Sequence, residues 1–279
     1  MHSVRLGILA SLTLLPAFAQ VPAQVLNVAL PDQTREQNAP HQFGPIRDMF
    51  EEHNGTANST NWSGYAVLGP AFKTAEGSWT VPAVNCSGVT DTEYAAFWVG
   101  MDGYNANSPT VEQTGTASYC QGTKAAYYAW FEFYPNPSKL IATVPVSPND
   151  VISASVAFAG GKFTVTLTDV TTGKTFSKTA AVSGAKRNSA EWIIEAPCCT
   201  NSGGTLPLAD FVTGSFGYDS TGVSGTDQAT DQNRSGPIGA WPSQYLKQIN
   251  KVPSSTSPQM STCFALTGDL TSFSCSWAP

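Results

Sequence analysis

The stretch Ser189-Ala-Glu-Trp-Ile-Ile-Glu195 decides the fold, because its β-branched and aromatic residues predict a strand between two turn-rich segments. Side chains alternate between the two faces of a strand, so Glu191 and Glu195 share one face and Trp192 lies on the other. The two carboxylates lie four positions apart, roughly 13 Å along a strand, so neither can be the other's catalytic partner. Their face is therefore either a polar outer surface or a wall of a site completed by other strands.

Two further stretches have the same pattern of one apolar face and one face that combines an indole with a carboxylate. They are Tyr94–Gly103 and Tyr127–Pro135. The polar faces carry Trp98 with Asp102 in the first stretch, and Trp130 with Glu132 and Tyr134 in the second. A single face of this kind is equally typical of a solvent-facing strand. Three of them together are better explained as the walls of one shared groove.

Alternating segments continue along the chain at short spacing, separated by turn signals such as Gly160-Gly161 and Thr172-Gly173. They predict strands over 140–144, 151–158, 162–170 and 175–182. No long amphipathic helical pattern is present, and one short helix is expected over Ile46–His53. The predicted fold is all-β: an antiparallel two-sheet β-sandwich of the concanavalin-like or jelly-roll type, with an active-site cleft on the concave sheet.

Three regions are expected along the chain. Residues 1–19 have the features of a signal peptide, with Arg5 before a short apolar run and Ala17-Phe-Ala19 at the cleavage position. Residues 20–56 are richer in Pro, Gln and charge, and are either a disordered leader or a pro-segment removed on maturation. Residues 57–279 form the folded domain, after a flexible joint and processing region over 54–60. We therefore expect a secreted protein, extracellular or periplasmic.

Composition limits the possible partners. Charged residues make up 12% of the chain and the net charge is −6, without a basic patch that would indicate nucleic acid. After the signal peptide no apolar segment is long enough to span a bilayer, so neither a membrane nor a nucleic acid is expected as a partner, and a monomer is expected.

Six cysteines suit an oxidising compartment. Cys263 with Cys275 is the best-supported pair, and Cys86 with Cys120 is the next. Cys198 and Cys199 would then be joined to each other, or the cysteines would be paired differently.

The positions of the histidines narrow the chemistry. The three histidines are His2, His41 and His53, so the domain after residue 56 has none. This excludes from the domain Ser-His-Asp and Cys-His catalysis and histidine-ligated zinc. The aspartic-protease signature Asp-Thr/Ser-Gly is also missing. The chemistry must rest on carboxylates, amides, hydroxyls or lysine, and we expect no metal and no cofactor.

Five motifs, in this order and approximate spacing, resemble the glutamic peptidases, the eqolisin family of scytalidoglutamic-peptidase-like acid endopeptidases. They are Asn61-Trp62, Trp98-Val-Gly-Met-Asp-Gly103, Gln113-Thr-Gly115, Ala129-Trp-Phe-Glu-Phe-Tyr-Pro135 and Ala190-Glu-Trp-Ile-Ile-Glu195. Each motif is weak alone, whereas five in order are specific. The resemblance covers about residues 57–279.

The resemblance implies a β-sandwich endopeptidase that cleaves polypeptides in acid with a glutamine and a glutamate. Carried over by motif, the catalytic pair is Gln113 and Glu195. The residues that line or support the cleft are Trp98, Asp102, Trp130, Glu132, Tyr134 and Glu191. The chain departs from the family at Tyr128, where fungal members usually have Asp, and in the placement of its cysteines.

Two other classes of function fit the same residues. A β-sandwich glycoside hydrolase could use two of Glu112, Glu132 and Glu195 as acid and nucleophile, with tryptophans stacking on sugars. A carbohydrate-binding module could use Trp98 and Trp130 as platforms and would hydrolyse nothing.

Overall fold

The structure is a computed structural model that describes residues 36–51, 55–105, 107–199 and 203–279. The predicted signal peptide and residues 20–35 of the leader lie outside the described residues. Within them the chain is almost entirely β, with one helical turn, α1 (Tyr218–Thr221), and one 3₁₀ turn (Ile238–Ala240).

The described part of the chain forms eighteen strands. In chain order they are β1 (Phe50–Glu51), β2 (Thr56–Ser59), β3 (Trp62–Leu68), β4 (Thr74–Thr80), β5 (Thr92–Met101), β6 (Val111–Gln121), β7 (Lys124–Tyr134), β8 (Lys139–Leu140), β9 (Val151–Ala159), β10 (Lys162–Asp169), β11 (Lys174–Ala180), β12 (Ser189–Glu195), β13 (Thr213–Phe216), β14 (Gln228–Thr230), β15 (Ser235–Pro237), β16 (Leu246–Lys251), β17 (Met260–Cys263) and β18 (Phe273–Ala278).

The strands pair into two layers. The front sheet has the order β7–β6–β5–β12–β3–β16, and all these pairs are antiparallel. The back sheet runs β11–β10–β9–β4–β13–β18–β17, also antiparallel. The residue pair Lys251↔Ser261 joins β16 to β17 and links the layers. The antiparallel sandwich predicted from the sequence is confirmed.

The core lies between the two sheets. The front sheet contributes its apolar faces, including Phe97, Phe131 and Trp192, and the back sheet contributes Trp79 and Val156. All five side chains are buried. The sequence predicted the inward direction of the front-sheet residues, because the alternation of the strands leaves their carboxylates on the opposite face.

An N-terminal segment covers the outer face of the front sheet. Residues 36–47, here called the strap, run over this face, with isolated β-bridges at Asn38 and Gln42 and bends at Pro40, His41 and Pro45. Its backbone hydrogen bonds to the domain include Leu140 N to Gln37 O (2.9 Å), Ala39 N to Ser138 O (2.8 Å), Cys198 N to Gln42 O (3.1 Å) and Ile46 N to Gly103 O (3.0 Å). Phe43 and Ile46 are buried in a second apolar cluster with Trp62, Trp98 and Trp130.

Three local predictions were wrong. No helix forms over residues 46–51; the Arg47 amide bonds to Asn61 Oδ1 instead (2.8 Å), and Phe50–Glu51 pair with β2. The expected joint over 54–60 contains β2, which pairs with β16. The strand expected over 140–144 is limited to Lys139–Leu140, because the chain turns where Val144 N bonds to Ile141 O (3.2 Å). In each case contacts with distant segments, or a turn, outweigh the local pattern.

The disulfides include the two pairs expected from the sequence and, for Cys198 and Cys199, the first of the two alternatives left open. They join Cys86 to Cys120, Cys198 to Cys199, and Cys263 to Cys275. Within the described residues, no helix is long and apolar enough to cross a membrane.

Candidate active site

Strand register gathers the predicted site on the outer face of the front sheet. Gln113 of β6 lies between Gly100 of β5 and Glu132 of β7. Trp98 lies two residues from Gly100 on the same face. Glu195 of β12 lies opposite Ala96. Four strands therefore bring together residues that are far apart in sequence.

Gly100 makes room for this arrangement. A Cβ atom at this position would lie 2.8 Å from the Trp98 indole and 3.2 Å from the Gln113 Cβ atom. The bare backbone position therefore lets the indole and the Gln113 side chain lie side by side. Any larger residue would displace one of them.

The Glu195 carboxyl is buried and accepts three hydrogen bonds. Trp98 Nε1 donates to Oε2 at 2.9 Å, and Asn61 Nδ2 and the Gly44 amide donate to Oε1 at 3.3 and 3.4 Å. Burial raises the pKa of Glu195 to about 8, and the three donors oppose this rise by stabilising the ionised form. The carboxyl is thus held in a fixed orientation by neutral donors.

Gln113 is held by Glu132. Its Nε2 donates to Glu132 Oε2 at 3.1 Å and to the Phe43 carbonyl at 3.2 Å. Its Oε1 is buried and makes no hydrogen bond. Glu132 Oε2 also accepts the Phe43 amide at 3.0 Å, and burial raises the pKa of Glu132 well above its usual value. The amide of Gln113 therefore presents its donor to the strap and keeps one acceptor available.

Phe43 and Gly44 of the strap occupy the space between these groups. The Phe43 ring stacks on Trp130 with centroids 3.7 Å apart and an angle of 18° between the planes. Tyr134 lies beside Gly44, where an added Cβ atom would be 3.4 Å from the ring. Gln113 and Glu195 thus contact the carbonyl and the amide of the same peptide group.

Asp102 and Glu191, also expected to support the site, are buried, as is Glu112, and the charges of these carboxyls act on one another. Asp102 accepts the backbone amides of residues 186–188 at 2.8–2.9 Å, which anchors the loop that enters β12. The carboxyl oxygens of Glu112 and Glu191 are buried without hydrogen-bond partners. Burial and the charge of Asp102 raise the pKa of Glu112 to about 9. Burial also raises the pKa of Glu191 well above its usual value.

Two further positions bear on the site. Asn61 was part of a quoted motif but had no predicted role, although its side chain contacts both Glu195 and the strap. The sequence signal that was available is an amide residue directly before a tryptophan at the start of a predicted strand. Tyr128, at the position where the family usually has Asp, has a buried hydroxyl without a hydrogen bond and contacts Tyr119 edge-on.

The position of Glu112 argues against the form of the glycosidase hypothesis in which Glu112 acts together with Glu132 or Glu195. Glu112 alternates with Gln113 along β6 and pairs with Met101 and Phe133, so its side chain leaves the strand on the core side. It therefore does not share a face with Glu132 and Glu195. Among the residues that the structure describes, no three His, Cys, Asp or Glu side chains are grouped to hold a metal ion.

Comparison with known proteins places this chain in a family. The profile of the Peptidase A4 family matches residues 60–263. Aspergillopepsin-2 from Aspergillus niger is 28% identical in an alignment of 185 residues that covers 58% of this chain and 65% of that protein. Scytalidopepsin B from Scytalidium lignicola is 35% identical in an alignment of 160 residues that covers 54% of this chain and 59% of that protein. The matches thus span less than two thirds of the length of either relative.

A solved structure of scytalido-glutamic peptidase, determined with a transition state analog inhibitor, has the same fold. It superposes with a TM-score of 0.62 at 26% identity, over 78% of this chain and 98% of that chain. The first residue of the family match is residue 60, so the strap lies upstream of the matched region.

Proposed function

This chain belongs to the Peptidase A4 family, and we propose that it is a secreted acid endopeptidase whose catalytic pair is Gln113 and Glu195. One observation carries the proposal. Gln113 Nε2 lies 3.2 Å from the carbonyl oxygen of Phe43, and Glu195 Oε1 lies 3.4 Å from the amide nitrogen of Gly44. Hydrolysis of a peptide bond needs a hydrogen-bond donor at the carbonyl oxygen, where negative charge develops, and a proton for the leaving nitrogen.

The proposed reaction uses water as nucleophile. Glu195 takes a proton from the water while the Gln113 amide donates to the oxygen of the attacked carbonyl, where negative charge develops. The free Oε1 of Gln113 is an acceptor that can orient the water. Glu195 then gives its proton to the leaving nitrogen. One carboxyl thus serves first as general base and then as general acid.

The surroundings of Glu195 suit both roles. With the strap bound, burial raises its pKa to about 8. A site open to solvent loses part of that burial, and the Trp98 and Asn61 donors remain. The pKa then moves toward the ordinary glutamate value of about 4.3, so ionised base is available in acid. The neutral Gln113 amide does not titrate, and its function is independent of pH.

The substrate class follows from the way the strap binds. The strap contacts the proposed catalytic pair through backbone atoms, which every polypeptide carries. We therefore propose unfolded or flexible polypeptides as substrates. The disulfides and the predicted signal peptide support a place of action outside the cytoplasm.

The test is cleavage of an unfolded protein between pH 2 and pH 8 by the exported protein, with a metal chelator and pepstatin present. Acid-selective cleavage should survive both additives and fall to background in Gln113→Ala and Glu195→Gln. Gln121→Ala, at the exposed end of the same strand, and Glu93→Gln in β5 are matched controls that should keep full activity. Full activity of Gln113→Ala would contradict the proposed mechanism.

A further inference from the structure

The strap lies on the site as a substrate would. It forms backbone hydrogen bonds to the domain at both ends, and its middle passes between Gln113 and Glu195. Because it belongs to the same chain, it excludes other polypeptides from the site. The strap is therefore both an occupant of the site and a candidate for its chemistry.

The register selects one peptide bond. Of the backbone carbonyls in the strap, that of Phe43 accepts from Gln113 Nε2 at 3.2 Å, and the next amide, that of Gly44, donates to Glu195 Oε1 at 3.4 Å. The Phe43 amide is fixed by Glu132 at 3.0 Å. Holding the reacting groups at contact distance is a large part of catalysis, and here both ends of one bond are held.

The side chains on each side of this bond are also recognised. Phe43 stacks on Trp130 and is fully buried, whereas Gly44 lies against Tyr134 with space for little more than a methyl group. The site therefore accommodates an aromatic residue before the bond and a small residue after it.

We propose that the bond between Phe43 and Gly44 is the site at which this protein cleaves its own precursor. The inference rests on the proposed peptidase function and adds its first substrate, the chain itself. Water adds to the carbonyl carbon of Phe43, and the bond from that carbon to the Gly44 nitrogen breaks. The hydroxyl of the water stays on Phe43 as a carboxyl group. The remaining proton passes through Glu195 to the nitrogen, which becomes the amino terminus at Gly44.

Cleavage at this bond divides the strap into two unequal parts. The part before the cut is no longer covalently tethered to the domain and is held by noncovalent contacts alone, those near β8 and Cys198 and those of Phe43 with Trp130 and Glu132. The part after the cut stays attached through the chain, with Ile46 buried and Arg47 bonded to Asn61. The expected first product is therefore a domain that begins at Gly44, together with a released peptide that ends at Phe43.

The experiment follows the intact precursor by mass spectrometry and N-terminal sequencing during incubation from pH 3 to pH 8. The first new terminus should be Gly44, and its rate constant should not change over a tenfold range of precursor concentration. Glu195→Gln should form no such terminus. Phe43→Ala should slow its formation by about tenfold or more, the usual effect of emptying an aromatic pocket. Phe43→Tyr should restore most of the rate.

Phe50→Ala is the matched control, because Phe50 lies in the same N-terminal region but is 54% exposed. It should process at the wild-type rate. Cleavage of an unfolded protein is measured on the same samples. A first terminus other than Gly44, or a rate that rises with concentration, overturns the inference even if the unfolded protein is cleaved. If neither the precursor nor the added protein is cleaved, the proposed function fails and the inference fails with it.

Discussion

Oε2 of Glu132 lies 3.1 Å from Nε2 of Gln113, and this contact determines which end of the Gln113 amide faces the bound peptide. Because Glu132 occupies one amide hydrogen, the other points to the Phe43 carbonyl, and Oε1 stays available as an acceptor. Glu132 is thus a positioning residue for the amide.

Glu132→Ala should lower kcat/KM on peptide substrates by about 10–100-fold, because the Gln113 amide loses its fixed orientation. Glu132→Gln should keep most of the activity, since an amide oxygen can accept the same hydrogen bond. The comparison is made by steady-state kinetics at acid pH. If Glu132→Gln were as inactive as Glu195→Gln, two catalytic carboxylates would be required and the role of Glu132 as a positioning residue would be contradicted.

Trp98→Phe should move the acid limb of the kcat/KM profile to higher pH. The substitution keeps most of the ring and removes the 2.9 Å donor that stabilises the ionised form of Glu195, so the pKa of that carboxyl rises. Trp79→Phe is the control, because it removes a buried 2.9 Å bond to Thr116 that is remote from the pair. It should lower stability and leave the pH profile in place. Equal shifts of the acid limb in both variants would contradict the role of Trp98 as the donor that stabilises ionised Glu195.

Self-cleavage should need a higher pH than turnover of added substrate. Burial under the strap raises the pKa of Glu195 to about 8, so the ionised base that activates water becomes more abundant as pH rises toward that value. In the open site the pKa is lower and the base is already ionised in acid. When both are measured on the same preparation, the pH–rate profile of self-cleavage should lie at higher pH than that of turnover of added substrate. Coincident profiles would contradict this prediction.

His41 should control how fast the cleaved peptide leaves. The ring is buried edge-on against Tyr94, Nε2 has no partner, and burial lowers the pKa of His41. The bound strap therefore favours neutral histidine, and this contribution to binding is present above about pH 6.5 and is lost in acid. His41→Gln should delay the onset of activity below pH 5 several-fold without changing the rate at which the Gly44 terminus forms. An unchanged lag would exclude this role.

Stability should decrease as pH rises from about 4 to 9. Glu112 is buried without a partner and its pKa rises to about 9, so the folded state holds a proton that the unfolded state releases above about pH 4.5. The contribution of this proton to the free energy of unfolding is complete below that pH. It is lost as pH rises, and the loss is on the order of 3 kcal/mol at pH 7. Glu112→Gln, in the inactive Glu195→Gln background, should flatten the dependence of Tm on pH between 4 and 8. An unaltered slope would refute the explanation.

The sequence predicts the front sheet well because alternation is a local property. The faces of β5, β7 and β12 follow directly from the order of their side chains, and the core direction of Phe97 and Trp192 is confirmed. The strap could not be foreseen in this way. Residues 46–53 have a local pattern that suits a helix, whereas their partners Gly103 and Asn61 are distant in sequence. The register that places Gln113 and Glu195 on one peptide group depends on such nonlocal pairing.

The contact between the strap and β8 has a consequence for the processed protein. β8 pairs with β7 at the edge of the front sheet. While Gln37 and Ala39 are hydrogen-bonded to Leu140 and Ser138, the strap covers this edge. Departure of the released peptide opens an edge whose backbone donors and acceptors then require new partners. An incoming polypeptide can supply them by β-augmentation, pairing through its main chain whatever its side chains. Segments that are too short to reach from this edge to Glu195 forgo that pairing, so chain length becomes a selection criterion in its own right.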